Sequence, residues 1–550
     1  MLWIALHLPL LSLEAFAATL CREASDEACL VAASPVATGS MAIGLLEAQR
    51  IASANAAALA LGVRPGLKRA TALALAPRLV LGQADPYRDA QALQAVAHAA
   101  LEFTPSVAIQ PAAADAAAPH TVVLDVERSL RYFGGIEPLR QRLHAAVGRL
   151  GHRFHSVVAP TAQGAAMLAR VHERLHCQDL AALHAALDGA PVWLLGPGRE
   201  HWEALQGMGL RTLADLRRLP RAGVTRRFGA TLLTELDRAR GEQPDPRDPL
   251  VLPAQFDSRL ELFSRADTTE QVLHGAGVLL ARLTAWLAAQ HAQVRRFTLL
   301  MHHEPRWGGG SRAETPLAIA LAEPSRDATH LRVLLRERLG RLQLDAPTLE
   351  LQLQADEVTQ RAPPNHELFP LPGSEVEGLT RLVERLQARL GHEKVQRLVL
   401  MNDHRPERAS RAEATQAGVV SWGKRAPSDT AGRSLPRRTA SRARNVEPAP
   451  AVAGNFTPEG RHTAPRPVWL LPLPEPLPER QSRPWFDGQP LQLISGPERI
   501  ESGWWDADLA GRDYFIAQAG DGALVWIYRA RLAVAQDAAA PGWFLHGLFG

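Results

Sequence analysis

The stretch from about residue 406 to 466 limits the fold of everything on either side of it. It is rich in Arg, Pro, Ser and Ala and has little helical or strand periodicity, so it cannot bury enough apolar surface to offset the entropy lost on ordering. A chain of 550 residues interrupted in this way folds as separate packed bodies rather than around one core. The stretch itself reads as a disordered basic linker. Lys424, Arg425, Arg433, Arg437, Arg438, Arg442 and Arg444 have few acids near them, which suits either a loose, salt-sensitive hold on DNA or a merely soluble tether.

On the N-terminal side, short apolar runs such as 121–126 and 155–160 alternate with alanine-rich helical stretches at 88–102 and 162–175, an α/β pattern that predicts one region over 1–190. Leu2, Ile4, Leu6 and Leu8 alternate as a strand leading into a helix. Residues 191–250 read as helices punctuated by glycine. From 251 to 362, β-like segments mix with amphipathic helices at 268–290 and 329–342, an α+β domain. A helix at about 374–391 lies within a further segment, 363–405. Beyond the linker, 467–550 holds six of the twelve tryptophans, Trp469, Trp485, Trp504, Trp505, Trp526 and Trp543. So many large aromatics imply burial, and the runs 514–518 and 523–528 around Gly-Asp-Gly predict a small β-rich module built on a hairpin.

With 46% hydrophobic and 21% charged residues the chain is too polar for a membrane protein. Formal net charge is +4 and only Lys68, Lys394 and Lys424 of the 61 basic residues are lysines; so strong a bias to arginine fits phosphate recognition or simply genome composition. Cys21, Cys29 and Cys177 are too few and scattered for a disulfide framework or a four-ligand zinc site, and fit a reducing cytoplasm. The apolar start lacks a basic n-region and carries His7 and Glu14, against a secretory signal.

Four segments in order resemble the Y-family translesion DNA polymerases, and within them the ImuB subfamily: LWIALHLPLLSLE (2–14), SANAAALALGVRPGL (53–67), HTVVLDVERSLRYFGG (120–135) and LLGPGREHWEALQGMGLRTLADLRRLP (194–220). The resemblance implies palm and fingers over 1–190, a helix–hairpin–helix thumb over 191–250 and a little-finger-like domain over 251–362. Nucleotidyl transfer in that family uses two divalent ions held by three carboxylates. The corresponding positions here are Ala5, His120 and Thr121. The tyrosine, arginine and lysine that grip the triphosphate correspond to Ala56, Leu59 and Met167, and the aromatic that screens the sugar to Leu10. His7 takes the place of the second aspartate of the opening strand. His7 and His120 read either as locally satisfied histidines or, with Asp125 or Asp115, as a rebuilt metal site; imidazole suits zinc better than magnesium. No metal, no cofactor and no catalysis are therefore expected, with an active polymerase using relocated ligands as the alternative and a DNA-binding protein unconnected with replication as a third reading.

The binding calls follow. Gly196 and Gly198 are candidates for helix–hairpin–helix contact with DNA phosphate, or a plain turn. Arg295 and Arg296 are candidates on the little-finger-like sheet, or a solvated face. Asn365-His366-Glu367-Leu368-Phe369, flanked by Pro363-Pro364 and Pro370, is similar to the sliding-clamp pentapeptide, in which Leu368 and Phe369 would fill an apolar pocket; residues 259–263 compete but lie in an expected strand. Residues 496–517 and 542–550 resemble the ImuB C-terminal region. That implies an ImuA-type protein and an error-prone C-family DNA polymerase as partners, with Trp504, Trp505, Arg512, Asp513 and Tyr514 as candidate contacts unless they are core. The implied role is a cytoplasmic, nucleoid-associated adaptor in damage-induced mutagenic translesion synthesis.

Overall fold

The computed structural model describes residues 1–20, 41–111, 120–196, 201–304, 313–360, 373–415, 465–506, 509–531 and 542–549. They fall into two units, Met1–His392 and, separately, Glu393–Thr415 with the described C-terminal residues. The fold is multidomain, α/β and α+β in the first unit and β-rich in the second.

The first unit opens with β1 (Trp3–His7) and α1 (Leu11–Ala17). A three-stranded sheet follows from β2 (Ile43–Glu47), β3 (Arg50–Ala54) and, past α2 (Ala56–Ala60) and α3 (Arg69–Leu75), β4 (Val80–Gln83). Asn55 joins these pieces: its Oδ1 accepts from Ala58 N and Ile43 N at 2.9 and 3.0 Å, capping α2 while holding the start of β2. Next come α4 (Pro86–Leu101), β5 (Val107–Ile109), β6 (Thr121–Asp125), α5 (Leu130–Phe133), α6 (Ile136–Gly148), β7 (His155–Ala159), α7 (Ala162–Ala169), β8 (Arg174–His176) and α8 (Leu180–Asp188). The five-stranded sheet runs β5-β6-β1-β7-β8, with β1 antiparallel to both neighbours.

Period-two alternation gives β1 two buried faces. Ile4, Leu6, Val122, Leu124 and Val158 share a core with α4 and α6, while Ala5, Val123 and Val157 share one with α7 and the helices that follow. The helix expected over 162–175 stops at Ala169, and Arg174–His176 joins the sheet beside β7 instead. Short helices Trp202–Gly207, Leu213–Arg217, Arg221–Phe228 and Ala230–Arg240 complete this region.

The α+β domain has β9 (Asp257–Ala266), the helix Thr269–Ala289, β10 (Ala292–His303), β11 (Glu314–Ser325), the helix Ala328–Leu339 and β12 (Thr348–Gln360), in sheet order β11-β10-β12-β9. Thr269–Ala289 is long and apolar enough to cross a membrane by composition, but 72% of its apolar window is buried in the protein, with Trp286, Leu279 and Leu283 in the domain core. The helix Gly373–Leu390, assigned from sequence to a segment of its own, packs on this domain: Glu384 accepts from the Ala322 amide and lies 2.8 Å from His330 Nε2, and Ala388 joins the core.

In the second unit, β13 (Gln396–Leu400) and β14 (Ser410–Ala414) form a hairpin. Residues 406–415, expected to open the linker, are therefore folded; the arginines that make them look polar are partly spent on ion pairs described below. A five-stranded antiparallel sheet runs Trp469–Leu477, Trp543–Leu548, Leu524–Ala530, Ala510–Gln518, Gln492–Ser502, and contains the expected hairpin at 514–528. Aromatic burial divides unevenly. Trp526 and Trp543 are buried, whereas Trp469, Trp504 and Trp505 are exposed. The linker core, residues 416–464, lies outside the described residues.

Candidate functional site

Strand register brings together the positions that the resemblance aligns with the catalytic carboxylates of the Y-family polymerases. His7 pairs with Thr121 on one side and His155 on the other, while Ala5 pairs with Val123. His7 Nδ1 lies 2.9 Å from Thr121 Oγ1, and His155 Nδ1 is 2.8 Å from Ala169 O. Burial, followed by the neighbouring His155 and His120, lowers the His7 pKa to about 4, so it is neutral at physiological pH. Ala5 has no exposed surface and sits in the core that contains α7.

One carboxylate does enter this region, from the alanine-rich helix that the sequence places over 88–102. Asp89, in the first turn of α4, accepts a short hydrogen bond from Ser12 Oγ, which lies 3.5 Å from His120 Nε2. Burial pushes the Asp89 pKa up and that of His120 down, so the group favours its neutral form more than a free carboxylate would. The order of contacts is Asp–Ser–His, with serine in the middle. A nucleophilic triad needs the imidazole between the hydroxyl and the carboxylate, so this arrangement does not activate Ser12. The positions that would grip a triphosphate are equally plain: Ala56 and Leu59 are exposed on α2, Met167 is buried in α7, and Leu10 packs against the Leu13, Phe16 and Ile43 cluster.

In 191–250 the glycine turn between helices lies elsewhere than at Gly196. The Gly196 amide donates to Glu235 Oε2 at 2.9 Å, within a network of Gln163, Gln110, Arg247 and Asp245; that amide is already paired. Gly198 lies outside the described residues. The hairpin joining two helices is instead 208–212, where Gly209 adopts φ +78 and Thr212 and Asp215 form a capping box for Leu213–Arg217. Its signal was present in Gly207-Met208-Gly209 and in Thr212-x-x-Asp215.

On the little-finger-like sheet, Arg295 and Arg296 occupy a bulge in β10, and Arg296 Nη1 lies 3.3 Å from Glu357. Register shows what surrounds them. The face opposite the helices carries Asp257, Glu261, Glu314, Glu350, Asp356 and Glu357, against Arg259 and Arg296. Gln352 and Gln354 both donate to Asp257. These carboxylates come from three other strands, so the isolated Arg-Arg pair in the sequence did not show them, and they offset part of its positive charge.

In the second unit, Tyr514 is core. It stacks on Trp526 with ring centroids 4.0 Å apart, and its hydroxyl lies 2.8 Å from His546 Nδ1 and accepts from Arg512 Nη1 at 3.1 Å. Arg512 also reaches Glu407 at 3.0 Å, and Asp513 pairs with Arg499 at 2.8 Å. These three residues are internal struts. Trp504 and Trp505 are different: they are 78% and 53% exposed and meet edge to face. Their turn is anchored through Asp506, which binds Arg408 at 2.8 Å and the buried Arg405 at 2.6 Å, while Arg405 also holds Asp403 at 2.7 Å. The charge-assisted bonds from Arg405 draw the Asp403 pKa down to about 2.

No protein-family model matches the chain. Protein ImuB of Caulobacter vibrioides, from strain NA1000 / CB15N and from strain ATCC 19089 / CIP 103742 / CB 15, is 28% identical over 509 residues, covering 89% of this chain and all of the relative. The chain is similar to these ImuB proteins along most of its length. Among solved structures, a Dbh ternary complex is 15% identical with a TM-score of 0.36, over 65% of this chain and 99% of that one. DinB from Sulfolobus solfataricus is 17% identical with a TM-score of 0.34, over 65% and 98%.

The donor set at the His7–Thr121 end of this sheet does not fit the metal pair that the resemblance to the Y-family polymerases implies. Magnesium requires several oxygen ligands, and this region supplies three imidazoles, those of His7, His120 and His155, the hydroxyls of Thr121 and Ser12, and one carboxyl whose pKa is raised. Asp125 is four residues from Thr121 along β6, about 13 Å away at strand rise, so it cannot complete a site there; Asp115 lies outside the described residues. No group of three or more His, Cys, Asp or Glu suited to a metal occurs among the described residues.

The buried histidines have a consequence for acid stability. His7, His98 and His144 are each held at about 4, chiefly by burial, against 6.5 when exposed. Between those values the unfolded chain binds more protons, so the stability they contribute is present above about pH 6.5 and lost as pH falls towards 4. Asp89, shifted upward, acts in the opposite sense. A thermal scan series should show Tm of the protein falling across this window; a Tm that holds level down to pH 4 would contradict the neutral assignment of the three rings.

Proposed function

We propose that this protein is a non-catalytic, Y-family-polymerase-like adaptor in damage-induced translesion synthesis, which binds primer–template DNA and brings other proteins to it. The observation that carries this reading is the palm: where nucleotidyl transfer needs a cage of carboxylates, the chain has a sealed Ala5, neutral imidazoles and Thr121. The resemblance to the ImuB subfamily and the ImuB relatives support it further. In this reading the sliding clamp takes Asn365, Leu368 and Phe369, which lie outside the described residues. The exposed Trp504–Trp505 pair receives a partner, which the subfamily resemblance suggests is an ImuA-type protein or an error-prone C-family polymerase. The protein acts in the cytoplasm.

One observation favours a second reading, an active polymerase with relocated ligands. Asp89 brings a carboxyl to the position beside His120. A primer-extension assay with magnesium and with manganese separates the two. The adaptor reading expects no incorporation by the purified protein; extension that persists through stringent purification and disappears in Asp89→Asn would establish the enzyme.

A further inference from the structure

The acidic sheet of the little-finger-like domain leaves open where a nucleic-acid phosphate is held. We propose that the fingers-like segment binds a phosphodiester of a single-stranded nucleic acid in a basic cavity formed by Arg50, Lys68 and Arg69; this deepens, and rests on, the reading that the protein binds DNA.

The cavity is built by two pieces of backbone held together. β2 and β3 turn at Ala48 and Gln49, whose φ values are 45 and 64, in the left-handed region that is unfavourable for a residue with a Cβ. Hairpin turns of this kind ordinarily use Asn-Gly or Gly-Gly. The turn is kept in place by the segment opposite: Gln49 O accepts from Arg69 N at 3.1 Å, Arg50 bridges Lys68, and Arg50 Nη1 donates to Gly66 O at 2.9 Å. Between them lies a cavity of about 340 Å³ lined by Ala48, Gln49, Arg50, Lys68, Arg69 and Ala70.

Its charge is unbalanced. Arg221, Arg240, Arg247 and Arg405 all have carboxylate partners, whereas Arg50, Lys68 and Arg69 converge on this space with no carboxylate in ion-pair contact among the described residues. Glu47 is the one acid in 41–84, against Arg50, Arg64, Lys68, Arg69 and Arg78. Three like charges around one open, solvent-exposed depression are relieved by an anion, and guanidinium and ammonium groups together suit a phosphate oxygen set. The same chemistry could come from a nucleoside triphosphate. The adjacent helix α2 argues for the strand, because it presents Ala56 and Leu59 and no cation to a triphosphate tail.

The test uses the full-length protein and a fluorescein-labelled, mixed-sequence single-stranded oligonucleotide, followed by anisotropy over a range of salt. For Arg50→Gln/Lys68→Gln/Arg69→Gln we expect affinity at low salt to fall at least about tenfold and the slope of log K against log salt to shrink by about 2, the value for three lost contacts to a single strand. Lys68→Gln/Arg69→Gln, which retains the Arg50–Gly66 bond and so the hairpin, should lose about 1.4 of that slope. Wild-type binding whose slope is unchanged in both variants overturns this inference alone. Displacement of the oligonucleotide by a deoxynucleoside triphosphate at matched phosphate concentration, in wild type and not in the variants, overturns the assignment to a strand. Absence of any binding by the wild type overturns the DNA-binding reading itself.

Discussion

Replacing Ala5 with aspartate, the change that would restore the first carboxylate of the palm, is expected to destabilise the first unit by about 3–5 kcal/mol, the range for an uncompensated buried charge. Ala5 has no exposed surface, pairs with Val123 and packs in the cluster of Val157, Ala166 and Met167. A carboxylate there meets neither water nor a cation, and its extra volume also strains the contact with α7. Ala5→Asn separates the two effects, since it keeps the shape and omits the charge; its smaller loss in urea denaturation should isolate the charge term. If instead Ala5→Asp unfolds at the wild-type urea concentration and is further stabilised by magnesium, the palm is an open acidic cleft and the adaptor reading is wrong.

In the C-terminal module, two tryptophans should respond in opposite ways. Trp526 is 1% exposed and stacks on Tyr514 and His546, so Trp526→Ala is expected to cost about 3–5 kcal/mol and to abolish near-UV dichroism from this unit. Trp504 is 78% exposed, and Trp504→Ala/Trp505→Ala should leave stability within about 1 kcal/mol while removing capture of the partner polymerase or ImuA-type protein from damaged cells. Leu368→Ala/Phe369→Ala should spare that capture and remove the clamp. Capture that survives loss of both tryptophans would reassign the pair to another role.

The comparison of Tyr514 with Trp504 shows where sequence reasoning reaches its limit. Both sit in the same aromatic-rich run, and composition predicts burial for each. Tyr514 is buried because its strand places it between Trp526 and His546; Trp504 follows Gly503 in a turn that the Arg405–Asp506 pair holds out. Arg405 itself lies immediately before the stretch that reads as unstructured. Its two carboxylates, Asp403 and Asp506, are two and about a hundred residues away, and only the nearer one is visible as a local pattern.

Periodicity and composition by themselves determined the alternating α/β region, the helices near 88–102, 268–290 and 374–391, and the C-terminal hairpin. These features depend on residue type and short spacing, which the chain carries locally. Tertiary structure alone decided that Asp89 meets Ser12 beside His120, that six carboxylates gather on one face of the β9–β12 sheet, and that Arg50, Lys68 and Arg69 surround a common space. The charge environment of a group is set by neighbours from distant strands, and strand order and register, which bring them together, are not written in any one segment.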